Sequence, residues 1–89
     1  METMRVKISG LVQGVGFRYY AMKHAAMLGI CGYAKNLWSG DVEVVAEGSR
    51  TVLEQFLERL REGPRSAVVT GIRVEWEEGA HGYSSFEVR

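Results

Sequence analysis

Two kinds of hydrophobic repeat alternate along this chain of 89 residues, and their order constrains the possible folds more than any other feature. Three segments alternate apolar and polar residues, which is the pattern of strands with one solvated face. The positions predicted to share the inner faces are Val6, Ile8 and Val12, then Val42, Val44 and Ala46, and then Val68, Thr70, Ile72, Val74 and Trp76. A further strand is predicted over residues 30–38, and Ser39–Gly40 predicts a tight turn that joins it to the next strand as a hairpin.

Two other segments repeat apolar residues at helical spacing. The first stripe, with spacings of four, four and three residues, consists of Phe17, Ala21, Ala25 and Leu28. Gly29 ends this pattern, which therefore predicts an amphipathic helix. The second helix is predicted to begin at Ser49 as its N-cap and to end at Gly63–Pro64. Its apolar stripe consists of Leu53, Phe56, Leu57 and Leu60.

The order of elements is therefore βαββαβ, followed by a short C-terminal strand at Phe86 and Val88. Each helix connects two strands that must run parallel, while the hairpin reverses the chain direction. This order predicts an α+β fold of the ferredoxin-like, split-βαβ type, with an antiparallel-type sheet and both helices on one face. No repeat or linker interrupts the pattern, so we expect residues 1–89 to form a single domain. Many unrelated activities share this architecture, so function must be sought in particular residues.

Charge and composition argue against several classes of function. Eleven Lys and Arg residues balance eleven Asp and Glu residues, so the chain lacks the general attraction of a basic protein to nucleic acid or anionic lipid. No apolar run approaches the roughly 20 residues of a membrane helix, and the first residues lack the apolar stretch of a signal peptide. The single cysteine, Cys31, cannot form an internal disulfide. We therefore expect a monomeric cytoplasmic protein without a nucleic-acid or membrane partner.

A glycine-bearing loop, Gln13–Arg18, lies between the first predicted strand and the first helix. It places Arg18 in the first helical turn, where a cation is disfavoured by about 0.3 to 1 kcal/mol unless an anion joins it. Gly14 and Gly16 would let main-chain N–H groups approach such an anion, and a guanidinium matches two phosphate oxygens. The loop therefore favours a small phosphate ester or anhydride, since it lacks the Lys-Ser/Thr ending of a nucleotide-binding loop. The alternative is a tight turn beside a solvated arginine.

Asn36 stands at the end of the predicted second strand, among aromatic and apolar neighbours. Its carboxamide can both donate and accept hydrogen bonds. If the sheet brings it near Arg18, it could hold a water in line with a bound phosphorus without acting as a base. The alternative is a strand-end asparagine that bonds to nearby main chain. Lys35 is expected to turn its side chain to the opposite face, and it is left outside the catalytic set.

The remaining reactive residues give little support to other catalytic schemes. Cys31 lies in an apolar strand and is expected in the core. His24 and His81 have no second ligand beside them at metal spacing, so no metal site is predicted. Three acidic residues alternate on one strand face, and a solvated surface is predicted for them: Asp41, Glu43 and Glu47.

Two segments resemble the signatures of the acylphosphatase family, small enzymes that hydrolyse the carboxyl-phosphate bond of acyl phosphates. Residues 10–18, Gly-Leu-Val-Gln-Gly-Val-Gly-Phe-Arg, are similar to the first signature. Residues 32–36, Gly-Tyr-Ala-Lys-Asn, together with Gly40, Val42 and Gly48, are similar to the second. The likeness extends to the C-terminal strand and so covers nearly the whole chain. It favours the ligand-binding interpretations of the loop and the asparagine over the turn interpretations.

The resemblance also implies roles for individual residues. Arg18 would bind the phosphoryl group, and Asn36 would orient the attacking water, with no metal, cofactor or covalent intermediate. The main-chain N–H groups that would share the phosphate-binding task belong to Gly14, Val15, Gly16, Phe17 and Arg18. Inorganic phosphate would be both product and competitive inhibitor. Two departures bear on how the acyl group is accommodated: Lys35 stands where arginine is common, and Trp38–Ser39 replaces a turn that often contains proline or aspartate.

Two other function classes share this architecture. An RNA-recognition module needs exposed aromatic residues on its central strands and usually a basic face, and Asp41, Glu43 and Glu47 argue against it. A non-catalytic anion-binding domain stays open, because acylphosphatase-like domains also occur within larger maturation enzymes. Turnover of an acyl phosphate distinguishes an enzyme from such a module.

Overall fold

The computed structural model describes all residues from 1 to 89 and contains the elements in the predicted order. The strands are β1 (Glu2–Leu11), β2 (Cys31–Asn36), β3 (Val42–Gly48), β4 (Val68–Glu78) and β5 (Phe86–Val88), and the helices are α1 (Phe17–Leu28) and α2 (Arg50–Glu62). The five strands form one sheet in the order β4-β1-β3-β2-β5. Because β3 lies between β1 and β2, the unit β1-α1-β2 is a split βαβ motif. The predicted ferredoxin-like α+β fold is confirmed.

The sheet is mixed, whereas the order of elements predicted an antiparallel type. β1 pairs antiparallel with β3 and β4, and β2 pairs antiparallel with β3, but β5 runs parallel to β2 with Tyr33 opposite Glu87. The cause is the path of the chain after β4. Residues 79–85 cross from one edge of the sheet to the other, where β5 continues in the direction of β2.

The hydrophobic core lies between the two helices and one face of the sheet. Its fully buried members from the strands and helices include Met4, Val6, Ile8, Phe17, Ala21, Ala34, Val44, Leu53, Phe56 and Leu60. Burial of each large side chain contributes about 1.5 to 3 kcal/mol, so this core makes the main favourable contribution to the free energy of folding. The helix ends follow the predicted caps: Ser49 Oγ accepts the main-chain N–H of Val52 at 3.4 Å, and Gly29 and Gly63 end the helices. Neither helix has the length and apolar character that crossing a bilayer requires.

Strand β4 departs from the predicted alternation near its start. The register of β1 against β4 shifts between Ser9 and Gly10, which leaves Thr70 without a partner. One extra residue moves the preceding side chains to the opposite face. Val68 and Thr70 are therefore exposed, and Val69 packs against the core in their place. The prediction of the inner face was wrong for these two positions and correct for the rest of the strand.

The prediction of a solvated surface was wrong for Glu47, which is only 5% exposed. Its carboxylate accepts hydrogen bonds from the main-chain N–H groups of His81 and Tyr83, the latter at 3.1 Å. Thr3 is also buried and donates to the carbonyl oxygen of Gly79 at 2.8 Å. Residues 79–85 therefore cover this end of the second sheet face. Glu47 holds the crossing segment that leads into β5.

We expect the Glu47→Ala variant to lose about 2 to 4 kcal/mol in its free energy of unfolding, measured by urea denaturation. The substitution leaves two main-chain N–H groups without their acceptor, and each such group costs about 1 to 3 kcal/mol when buried. Glu58, exposed on α2, offers the control, because its replacement by alanine is expected to change stability by less than about 0.5 kcal/mol. Equal losses in the two variants would show that Glu47 does not anchor the crossing segment.

Candidate active site

The loop between β1 and α1 ends in an open helix N-terminus. Gly14 and Gly16 have φ angles of 75° and 79°, a left-handed conformation in which a side chain would be strained. Gly16 is the N-cap of α1, no side chain caps this end, and the first turn contains no acidic residue. The first N–H groups and the positive end of the helix dipole are therefore available to an anion.

Arg18 and Asn36 line the same cavity at this end of the sheet. The cavity has a volume of about 110 Å³, and its walls are formed by Val12, Gly14, Gly16, Phe17, Arg18, Tyr19 and Asn36. The split βαβ motif explains the proximity, because β1 and β2 run in the same direction and their carboxyl ends meet at one edge. Of the predicted phosphate-binding residues, Val15 alone does not line the cavity, since its side chain packs against the core.

The Arg18 guanidinium is oriented by Arg89, the residue that follows β5. Its Nη1 donates a hydrogen bond to the main-chain oxygen of Arg89 at 2.8 Å. Arg89 is itself fixed, because its N–H donates to Ala34 O at 2.8 Å and its guanidinium stacks 4.2 Å from the centre of the Tyr33 ring. A guanidinium has five N–H donors, so the others remain available for an anion. No local signal in the sequence indicated that residue 89 reaches Arg18.

Gln13 links the loop between β1 and α1 to the turn that follows Asn36. Its Nε2 donates to the carbonyl oxygens of Leu37 and Asp41, at 2.8 Å and 2.9 Å. Leu37 N–H also donates to Asp41 O at 2.9 Å. The turn is therefore stabilised both by its own main chain and by Gln13. Trp38 projects from this turn fully exposed and does not line the cavity. The Gln13 contacts fix the end of β2, and therefore the position of Asn36, relative to the loop.

A polar contact between α1 and α2 stabilises the N-terminal part of α1. The Tyr20 hydroxyl donates to Arg59 O at 2.8 Å, and the Tyr20 ring lies 4.3 Å from the ring of His24. Arg59 Nη1 lies 2.8 Å from His24 Nδ1, which fits a neutral imidazole that accepts the bond. Burial and then the nearby Arg59 charge lower the pKa of His24, and burial raises the pKa of Tyr20. His24 thus has a structural partner in α2.

The other reactive residues lie outside the cavity. Cys31 is half-buried, so it is not the core residue that its apolar strand predicted. His81 lies in the crossing segment, where its Nε2 is 3.1 Å from Glu77. Lys35 is exposed and lies opposite Glu43 in the pairing of β2 with β3. No group of three or more His, Cys, Asp or Glu side chains comes together in a way that could hold a metal ion.

Comparison with known proteins identifies the family and matches the fold. The family model described as acylphosphatase matches residues 4–88. An acylphosphatase of Thermus thermophilus is 52% identical over 88 residues, which cover 99% of each chain. The crystal structure of acylphosphatase from Bacillus subtilis superimposes with a TM-score of 0.97 at 35% identity and covers 100% of this chain and 99% of its own. An acylphosphatase structure from Coxiella burnetii gives a TM-score of 0.91 at 44% identity, covering 99% of this chain and 93% of that one.

These matches extend over the whole fold, and they include both segments whose resemblance the sequence suggested. The likeness is therefore not confined to the loop between β1 and α1. The predicted family is confirmed: the chain belongs to the acylphosphatase family, hydrolases that cleave the carboxyl-phosphate bond of small acyl phosphates.

Proposed function

We propose that this acylphosphatase binds the phosphoryl group of its substrate with Arg18 and the main-chain N–H groups of residues 14–18, while Asn36 orients the attacking water. The observation that carries this proposal is the shared cavity, since Arg18, Asn36 and the loop glycines line one space of about 110 Å³. The cavity therefore combines an anion-binding helix end with a neutral amide. It contains no carboxylate that would repel a phosphoryl group.

Arg18 would stabilise the charge that accumulates on the phosphoryl oxygens as the reaction proceeds. The Arg89 contact holds the planar guanidinium in place before the substrate binds. The loop conformation does the same for the N–H groups at the start of α1. Donors fixed in this way are typically worth about 3 to 4 kcal/mol each in the transition state, because they need no reorganisation. The same donors also bind the product, so inorganic phosphate would inhibit competitively.

Asn36 would hold a water in line with the bound phosphorus through the two hydrogen-bonding functions of its carboxamide. The water oxygen forms the new bond to phosphorus, and the bond between phosphorus and the carboxyl oxygen breaks with its electron pair leaving on the carboxylate. Asn36 cannot take the proton of the water, and no carboxylate or imidazole lines the cavity. A substrate oxygen would therefore accept this proton, and the products are a carboxylate and inorganic phosphate.

The reaction is proposed to need neither a metal ion nor an enzyme-bound intermediate. The residues of the cavity supply no set of carboxylate, imidazole or thiolate ligands of the kind that holds a divalent ion. Cys31 and the two histidines do not line it, so they are not positioned as nucleophiles. We further propose that residues 1–89 form a single domain and that the protein acts as a monomer in the cytoplasm, without nucleic-acid or membrane partners.

Phosphate release from acetyl phosphate and benzoyl phosphate tests this function directly. We expect turnover of both substrates, with a rate that excess EDTA leaves unchanged because no residue set in the cavity binds a metal. Added inorganic phosphate is expected to raise KM without lowering kcat. Activity that disappears in EDTA and returns with one divalent ion would contradict the metal-independent mechanism. Saturable phosphate binding without any turnover would instead support the alternative of a non-catalytic anion-binding module.

A further inference from the structure

His24 makes a contact between the two helices that the proposed reaction does not use. It lies four residues after Tyr20, so both side chains share one face of α1. Arg59, in the last turn of α2, contacts both of them: its carbonyl oxygen accepts the Tyr20 hydroxyl, and its Nη1 lies 2.8 Å from His24 Nδ1. Neither His24 nor Arg59 lines the active-site cavity.

This contact is compatible with only one protonation state of His24. An arginine side chain stays protonated and has donors but no acceptor. His24 Nδ1 must therefore carry a free lone pair, with the ring neutral. A proton on Nδ1 would remove the acceptor and place two positive charges in contact, so the hydrogen bond could not persist.

The charges around His24 favour the neutral ring. Lys23 precedes it on α1, Arg59 faces it from α2, and Arg65, in the segment after α2, lines the same surface cavity. Glu62 is the one carboxylate of this cavity, and it is exposed and forms no ion pair with Arg59. Burial and then the charges of Arg59 and Lys23 lower the pKa of His24, while Glu62 opposes this shift.

We propose that His24 and Arg59 form an acid-sensitive contact between α1 and α2, which breaks when His24 is protonated and thereby destabilises the fold. The contact lies near the active site, because a Cβ at Gly63, the residue after α2, would be only 3.0 Å from Phe17, which lines the active-site cavity. The unfolded chain binds the His24 proton more tightly than the folded chain does. The stabilisation is therefore complete above about pH 6.5 and is lost as the pH falls towards the lower pKa of the folded state.

An NMR titration of the two histidine rings tests the contact itself. In the parental chain, His24 is expected to titrate below its ordinary pKa of about 6.5. Arg59→Met removes the donor and its charge, and it is expected to raise the pKa of His24 towards that value. Arg61→Met is the matched control, since Arg61 is exposed in the same last turn of α2, and it is expected to leave the titration unchanged. A parental pKa at or above the ordinary value, or equal values in the parental and Arg59→Met chains, would overturn the proposal.

Urea denaturation at about pH 7.5 and about pH 5 tests the effect on stability. His24→Gln supplies a carboxamide that can accept a hydrogen bond but does not titrate. As the pH falls, the unfolding equilibrium constant of the parental chain is expected to rise relative to that of His24→Gln, by at most about tenfold per pH unit for one proton.

His81→Gln is the control for the stability measurement, because it removes the other histidine and is expected to keep the acid-induced loss. The same pH dependence in the parental and His24→Gln chains would overturn the proposal. Neither measurement involves turnover, so the failure of this inference would leave the proposed function standing, and the reverse also holds.

Discussion

Replacing Arg18 with alanine is expected to lower kcat/KM for acyl phosphate hydrolysis by at least about 100-fold and to weaken the binding of inorganic phosphate. The physical reason is the loss of a fixed, planar donor at the point where negative charge develops. Arg18→Lys is expected to be almost as inactive, because an ammonium keeps the charge but cannot donate two parallel hydrogen bonds. Phosphate release and calorimetric titration with inorganic phosphate measure the two effects.

The control for this variant is Arg65→Ala, which removes an exposed arginine outside the cavity. It is expected to retain parental kinetics. Arg18 also bonds to Arg89 O, so circular dichroism and urea denaturation must show that Arg18→Ala is folded. A folded Arg18→Ala protein with near-parental turnover would remove Arg18 from the mechanism. That result would support the alternative that Arg18 is a solvated residue beside a tight turn.

Asn36→Ala is expected to fail in a different way, with kcat lowered by about 100-fold and little change in the affinity for inorganic phosphate. Misplacing a reactant by one ångström costs on this scale, and Asn36 is proposed to position water and not to hold the phosphoryl group. The matched control is Gln55→Ala, which deletes an exposed carboxamide on α2. Loss of phosphate binding with maximal turnover retained would show that Asn36 is a binding ligand.

Local patterns explain why most of the fold could be predicted. The periods of two and 3.6 residues depend only on which face of an element is buried, so they are visible within each segment. The stripe of Leu53, Phe56 and Leu57 and the cap at Ser49 therefore gave the correct second helix. Strand β4 shows where this reasoning stops. The shift opposite Ser9–Gly10 depends on pairing with another strand, and alternation within β4 alone cannot show it.

Contacts between distant segments account for the features that the sequence did not predict. Glu47 lies in an alternating acidic strand, but the residues that bury it follow more than 30 positions later. The direction of β5 and the contact of Arg89 with Arg18 depend on the same crossing segment. At the site, the hypothesis for Asn36 held only on the condition that the sheet brings it near Arg18, and in the structure both residues line one cavity. The sequence could not identify Gln13 as the residue that links the loop to the end of β2, since a glutamine before a glycine has no distinctive pattern.

In the proposed mechanism, water attacks the phosphorus of the acyl phosphate and not its carbonyl carbon. Hydrolysis of benzoyl phosphate in water enriched in oxygen-18, under single-turnover conditions, tests this point of attack most directly. The solvent oxygen should appear in inorganic phosphate, because the bond between phosphorus and the carboxyl oxygen breaks. Mass spectrometry of both products locates the label. Oxygen-18 in benzoate instead of phosphate would show that water attacks the carbonyl carbon, and it would contradict the proposed geometry of the site.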